Sequence, residues 1–381
     1  MNKRVLMVSD VYFPRVNGVS TSIETFRRAL APEGVEVRLV APRYGDEADQ
    51  PGIARIGARR IPRDPEDRLL PWRETRDTVH AEAAECDLVH IQTPFVAHYA
   101  GLKAARRHGK PVLATYHTFF EEYLYHYAPF LPRAWLKGLA RRFSRTQCND
   151  LDAIVVPSTA MRDRLADYGV RVPMHVLPTG IPLNRFTAGD RQRFRAQYGI
   201  PEDRPVTLFV GRVAHEKNIG FLVEAVAQTR RRQPDLLFLV TGEGPAEAAL
   251  RRQAEQLGVA DGVRFLGYLD RQRELPDAYA AADAFIFASR TETQGLVLLE
   301  AMAMGLPVVA LAAMGTRDIL APGRGGIAAP DDVEGFAGVL ADLIEDGERR
   351  ARLAAEARDY AREWADDRMA ARLARLYRTL A

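Results

Sequence analysis

The chain is poor in several things. It has 2 cysteines in 381 residues, Cys86 and Cys148, which is too few for a disulfide framework. No Cys/His spacing reads as a zinc site, and a reducing cytoplasm is the expected compartment. No apolar run approaches the roughly 20 residues of a membrane span. The opening "MNKRVLMVSD" meets the polar Ser9-Asp10 early, so it reads as a first strand and not as a secretory signal. No low-complexity tract and no 20–50-residue repeat stands out. Charge of one sign is also scarce: the net charge is +3, too small an excess to suggest bulk nucleic-acid binding, and no nucleic-acid motif appears. The small excess is uneven. Positions 1–183 hold 26 basic and 21 acidic residues, and the remainder 27 and 29. The two halves are therefore expected to meet different partners.

What is present is a 47% hydrophobic content, enough for two domains with separate cores. Short apolar runs ending in polar residues alternate with helical patterns. "RVLMVSD", "EVRLVAP", "LVHIQTP", "PVLATYH", "AIVVPS" and "HVLPTG" carry this theme to Gly180. A charged, Pro-containing break at Pro182–Pro205 reads as a linker with a short helix. The theme then restarts in "VTLFVGR", "LLFLVTGEG", "VRFLGYL", "AFIFAS", "PVVAL" and "GGIAAP". Continuous apolar strands separated by helices predict parallel sheets covered on both faces. The expected class is α/β: two Rossmann-like, doubly wound domains facing a cleft. Ligands of such sheets sit beyond the carboxyl ends of the strands, where these polar endings lie.

One stretch carries most of the chemistry. In "TETQGLVLLEA", Glu292 and Glu300 bracket seven residues. Gly295 opens a helix that is apolar nearly all round and therefore buried. Its start should present free backbone N–H groups at Gln294, Gly295 and Leu296, an anion site suited to a phosphate. Glu292 lies just outside that start. Glu300 lies more than a turn inside, and a buried carboxylate needs partners. Two ribose hydroxyls would serve; so would a buried arginine, with Glu292 then a simple helix-start residue. Upstream, "GRVAHEKNIGFLVEA" puts Arg212 and Lys217 after a strand end, with Gly211 between. A planar fork and a point charge suit a leaving group that gains negative charge, although the pair also suits a solvated loop.

These motifs together resemble the retaining glycosyltransferases of the GT-B fold, glycosyltransferase family 4. "NGV" at Asn17–Val19, "HT" at His117–Thr118, "PTGI" at Pro178–Ile181 and "VTGEGP" at Val240–Pro245 extend the likeness over nearly the whole chain. The resemblance implies a nucleotide-sugar donor with Arg212 and Lys217 on its diphosphate. It implies Glu300 on the ribose, Glu292 on the sugar hydroxyls, and main-chain groups near Phe265 and Leu266 on the base. Gly242 and Gly244 would allow close backbone approach, Gly18 would let a loop pass over the diphosphate, and His117 would stand over the sugar. It implies same-face transfer without a metal or other cofactor. It divides the chain into an N-terminal acceptor domain, 1–183, completed by about 365–381, and a C-terminal donor domain, 184–364.

The acceptor is read from one segment. Tyr116–Phe143 holds 9 of the chain's 32 aromatics, and Tyr123–Asn149 has no acid but five bases: Arg133, Lys137, Arg141, Arg142 and Arg145. Trp135, Leu136, Leu139 and Phe143 fall at helical spacing. An apolar body with a basic face fits a helix lying on an anionic bilayer, or an ordinary amphipathic helix with solvated bases. "TYHTFFEEYLYHY" is similar to the diacylglycerol glucosyltransferase branch of the family. That likeness implies UDP-glucose as donor, a membrane diacylglycerol as acceptor, and a peripheral position at the inner face of the membrane. GDP-mannose-dependent or other hexosyl transfer is the alternative. Two other classes are weighed: a UDP-sugar epimerase of the same architecture, for which no convincing acid/base set is found, and a non-catalytic nucleotide-sugar binder, which would have no need of Arg212, Lys217 and Glu292.

Overall fold

The computed structural model describes the whole chain except residues 1–2, 62–63, 118–132 and 187, and for 61, 64–67 and 133–136 the backbone alone. The chain divides into two compact units, Met1–Gly180 with Asp366–Ala381, and Ile181–Ala365.

In the first unit a seven-stranded sheet has the order β3-β2-β1-β6-β7-β8-β9, every pairing parallel. Its strands are β1 (Lys3–Val8), β2 (Val35–Arg43), β3 (Ile53–Gly57), β6 (Leu88–Ile91), β7 (Val112–Thr115), β8 (Ala153–Val156) and β9 (Met174–Val176). A separate antiparallel pair, β4 (Arg59–Ile61) and β5 (Asp64–Leu69), lies between β3 and β6 in sequence. The connecting helices are α1 (Gly18–Ala29), α2 (Trp72–Ala84), α3 (Val96–His108), α4 (Arg133–Asn149) and α5 (Thr159–Asp167). β6 and β8 are buried at every position, as strands covered on both faces must be. Local chemistry starts the helices. The Asn17 side chain accepts from the Ser20 N–H at 2.8 Å and caps α1. The Asp10 carboxylate at the end of β1 accepts from the Ala97 N–H at 3.1 Å and the Thr93 hydroxyl at 2.7 Å, which fixes the entry to α3.

The second unit repeats the plan with a six-stranded sheet, β12-β11-β10-β13-β14-β15, again wholly parallel. Its elements begin with α6 (Arg191–Gln197), β10 (Val206–Val210), α7 (Ile219–Thr229), β11 (Leu237–Thr241), α8 (Glu247–Gln256) and β12 (Val263–Gly267). They continue with α9 (Glu274–Ala281), β13 (Ala284–Phe287), α10 (Leu296–Ala303), β14 (Val308–Leu311), α11 (Thr316–Leu320), β15 (Gly326–Ala329), α12 (Val333–Glu345) and α13 (Gly347–Ala361). The stretch read as a linker is more than a tether. Phe194 and Arg195 of α6 are buried in this unit, and the Arg195 guanidinium donates to the carbonyls of Pro201, Arg204 and Ala281. A charged residue can sit there because carbonyl groups replace its water. Sequence alone shows the arginine but not the carbonyls that meet it.

The last helix, α14 (Asp366–Leu380), belongs to the first unit. Met369, Leu373 and Tyr377 join the core formed by Val5, Met7, Ile23 and Phe26. Burial of each such side chain contributes roughly 1.5–3 kcal/mol.

Candidate active site

In each unit the candidate residues lie at or just beyond the carboxyl ends of strands. In the second unit, Gly211 follows β10 and Gly242 follows β11. A Cβ on Gly242 would lie 2.0 Å from the Gly211 carbonyl oxygen, and its φ is +116°. The two loops are thus pressed backbone to backbone, which only glycine permits. The Gly211 N–H donates to Thr241 O and the Val213 N–H to Glu243 O, locking them together. Arg212 is exposed on this platform.

Lys217 ends a short turn, His215–Lys217, held from both sides. Asn218 adopts a left-handed φ of 55° and its amide donates to Ala288 O, while the Ser289 hydroxyl donates to Glu216 O. The turn is therefore pinned to the end of β13, and this brings Lys217 to Glu292. Their Nζ and Oε2 atoms are 2.8 Å apart, with side chains 23% and 20% exposed.

Glu292 departs from expectation in one respect. The backbone N–H groups of Gln294 and Gly295 are not free; they bond the Glu292 carboxylate. Burial pushes that carboxyl up, but the Lys217 ammonium, its hydrogen bond and these N–H groups outweigh it and hold the group below the usual range. The sequence shows the helix start but not that the upstream carboxylate folds back onto it. Gly295, at φ +96°, makes the turn into α10, and Leu296 begins the helix.

Glu300 is buried in α10, and each of its carboxylate oxygens accepts one hydrogen bond. Arg271 Nη2 lies 2.5 Å from its Oε1, and the Tyr279 hydroxyl donates to its Oε2 at 3.0 Å. The arginine alternative weighed for this glutamate is thus realised, though Arg271 itself is 39% exposed. Neither partner was singled out from the sequence. They lie 29 and 21 residues upstream, on a loop and a helix, with no spacing signal to mark them.

Phe265 and Leu266 lie on β12. The register with β11 steps from Val240↔Phe265 to Thr241↔Gly267, so Leu266 has no register partner on β11. A skipped residue on a strand leaves backbone groups outside the ladder. Gly18 and His117 are in the first unit. A Cβ on Gly18 would meet nothing within 4 Å, so packing does not require the glycine. His117 Nε2 lies 3.0 Å from Gln92 Oε1, and burial holds the imidazole down to about 4, neutral at physiological pH. The alternation along β6 places His90 two residues before Gln92, and His90 bonds Thr115 and Tyr377, each at 2.7 Å. Two parallel strands thus carry a polar ladder, His90 to Thr115 and Gln92 to His117. The sequence reading contained His117 alone. Thr118 and the side chain of Trp135 lie outside the described residues. Among the described residues no group of three or more His, Cys, Asp or Glu could hold a metal ion.

Two family models match consecutive stretches of the chain: Glycosyltransferase Family 4 over residues 16–185 and Glycosyl transferases group 1 over residues 190–360. The alpha-monoglucosyldiacylglycerol synthase of Streptococcus pneumoniae is 34% identical over 319 residues, covering 81% of this chain and 70% of the relative. The chain belongs to glycosyltransferase family 4. This family 4 enzyme is also 31% identical to the GDP-mannose-dependent alpha-mannosyltransferase of Mycobacterium tuberculosis, covering 95% and 93% of the two chains. Among solved structures it shares its fold with Anabaena Alr3699/HepE in complex with UDP, at TM-score 0.78 and 20% identity, over 99% and 100% of the chains. The chain is thus a glycosyltransferase, and its fold is GT-B.

Proposed function

We propose that the enzyme moves glucose from UDP-glucose to diacylglycerol at a membrane surface, with retention of configuration. The observation that carries this reading is the likeness to alpha-monoglucosyldiacylglycerol synthases, 34% identical in Streptococcus pneumoniae and 29% in Acholeplasma laidlawii. The exposed Lys137, Leu139, Arg141, Arg142 and Arg145 of α4 support it, because they give one helix a basic and partly apolar outer face. No helix among the described residues is long and apolar enough to cross a membrane. We assign contact with the bilayer to that basic, partly apolar face.

Arg212 and Lys217 bind the diphosphate and stabilise the charge that grows on it as the glycosidic bond breaks. Glu292 binds hydroxyls of the transferred sugar and Glu300 the ribose. Gly211, Gly242 and Gly295 let the backbone approach the donor, the main chain at Phe265 and Leu266 holds the base, and the N–H groups of Gln294, Gly295 and Leu296 face the phosphates once Glu292 has turned to the sugar. Gly18 and His117 serve the reaction from the first unit. The acceptor hydroxyl attacks from the face the leaving group departs, and the departing phosphate takes its proton. Arg212 and Lys217 supply the positive charge, so no metal takes part.

The second reading is mannosyl transfer from GDP-mannose. It is favoured by the fuller coverage of the mycobacterial mannosyltransferases, the second being 32% identical over 95% of this chain. One screen separates them: nucleoside diphosphate release from UDP-glucose, UDP-galactose and GDP-mannose, with and without vesicles containing diacylglycerol. Release from UDP-glucose that rises with those vesicles is the expected result. Release from GDP-mannose alone would establish the second reading instead.

A further inference from the structure

Glu300 has two carboxylate oxygens, each with two lone pairs. Arg271 takes one lone pair on Oε1 at 2.5 Å and Tyr279 takes one on Oε2 at 3.0 Å. One acceptor position per oxygen is left. A ribose presents two vicinal hydroxyls, one donor for each.

The donors come from different elements, which fixes the plane of the carboxylate. Tyr279 is 1% exposed on α9, with its ring against Phe186 and Phe285. Arg271 stands on the loop between β12 and α9, and that loop is shaped by its own chain. The Asp270 carboxylate accepts from the N–H groups of Gln272 and Arg273, and Glu274 accepts from the Asp270 N–H. Such reciprocal side-chain bonds hold a helix entry rigid, so Arg271 is presented from a fixed backbone. Buried charge partners of this kind are dispensable to a fold when both are replaced, and costly when one is left alone. The arrangement here holds a carboxylate by one bond on each oxygen and leaves its second acceptor position on each unused.

We propose that Arg271 is a specificity-determining positioning residue: with Tyr279 it leaves Glu300 one free acceptor on each oxygen, which selects a ribose over a 2′-deoxyribose. The assignment rests on the donor site proposed above. It adds that sugar selection at the nucleoside depends on a residue that bonds the carboxylate and not the ribose.

The test is isothermal titration of the full chain with UDP and 2′-deoxy-UDP, and with GDP and 2′-deoxy-GDP. The wild type should prefer the ribose form of its own nucleotide by tenfold or more, the scale of a charged hydrogen bond left unmade. Arg271→Met should lower that preference at least fivefold, chiefly by weakening the ribose form, while the deoxy form changes less than threefold. Arg271→Lys, which keeps one cationic donor, should restore part of it. Tyr279→Phe removes the other donor without changing shape and should also lower the preference; it supplies the answer if Arg271→Met does not fold, as judged by thermal unfolding. An unchanged preference in folded Arg271→Met or Tyr279→Phe would overturn the inference and leave the donor site standing. Failure of the wild type to bind any of the four would overturn both.

Discussion

Lys217 and Glu292 form an ion pair, Nζ to Oε2 at 2.8 Å, and the same carboxylate accepts from the N–H groups of Gln294 and Gly295. One side chain thus engages the cation and the helix start that a diphosphate would use. A negative ligand must displace it.

Glu292→Gln should therefore tighten nucleoside diphosphate binding, by roughly three- to tenfold, because a competing anion is gone. Turnover should fall at the same time, since the group proposed to bind the sugar hydroxyls has lost its charge. Lys217→Ala should do the opposite to binding and lower turnover on the order of 10²-fold or more, the scale of one lost transition-state charge contact. Calorimetry and initial rates measure both. Weaker UDP binding in Glu292→Gln would show that the carboxylate and the diphosphate do not compete.

Acid should destabilise the first unit. Burial depresses His90 to about 3, and His98 and His117 to about 4, from an ordinary 6.5. Groups lowered in the fold contribute stability that is present above pH 6.5 and lost as pH falls toward 4. Asp10, raised by burial to about 6, works in the other direction: its contribution is lost as pH rises through 6. Near pH 5 the three histidines take up protons on unfolding and the aspartate releases one, so the histidines prevail. Each proton changes stability by about 1.4 kcal/mol per pH unit. Urea unfolding at pH 7 and pH 5 should show the loss, and His98→Gln, which removes one buried imidazole, should make it smaller. Equal losses in the two proteins would refute the assignment to His98.

Exchange of Arg141, Arg142 and Arg145 for Ser should lower binding to anionic vesicles and leave UDP affinity intact. Each base near such a surface contributes roughly 1 kcal/mol, and the attraction should fade with added salt. Leu139, 46% exposed on the same helix, should weaken binding at low salt when changed to Ser. If the triple variant binds vesicles as the wild type does, the bases of α4 are merely solvated and a soluble acceptor becomes the better reading.

If Arg212 and Lys217 neutralise the leaving group as proposed, transfer should continue in the presence of a chelator. Activity abolished by EDTA and restored by magnesium or manganese would refute this.

How much was legible beforehand divides along physical lines. The two sheets were, because a parallel strand covered on both faces must be a continuous apolar run, and "VTLFV" or "AFIF" can hardly be anything else. The placement of the candidate donor residues was, because Gly211 follows β10 and Glu292 follows β13 within short, recognisable stretches. Partnerships across the fold were not. Nothing local marks Arg271 and Tyr279 as the partners of Glu300, or Gln92 as that of His117. The antiparallel pair β4 and β5 was missed as well; "RRI" and "DPEDRL" are charged and have no apolar alternation. The buried Arg195 was hidden within a charged stretch whose composition reads as solvent-facing.

The helix α14 joins a core whose other members were all translated before Ile181. Tyr377 hydrogen-bonds His90, an imidazole wholly enclosed on the central strand β6. The half of the protein made first is thus the half completed last. While the ribosome works through Ile181–Ala365, the nascent first unit carries an open apolar face and an imidazole without its phenol. The second unit, whose elements are all contiguous in the chain, can close on its own schedule. A fragment ending at Gly180 would reproduce that waiting state permanently, and supplying Asp366–Ala381 as a separate peptide would end it.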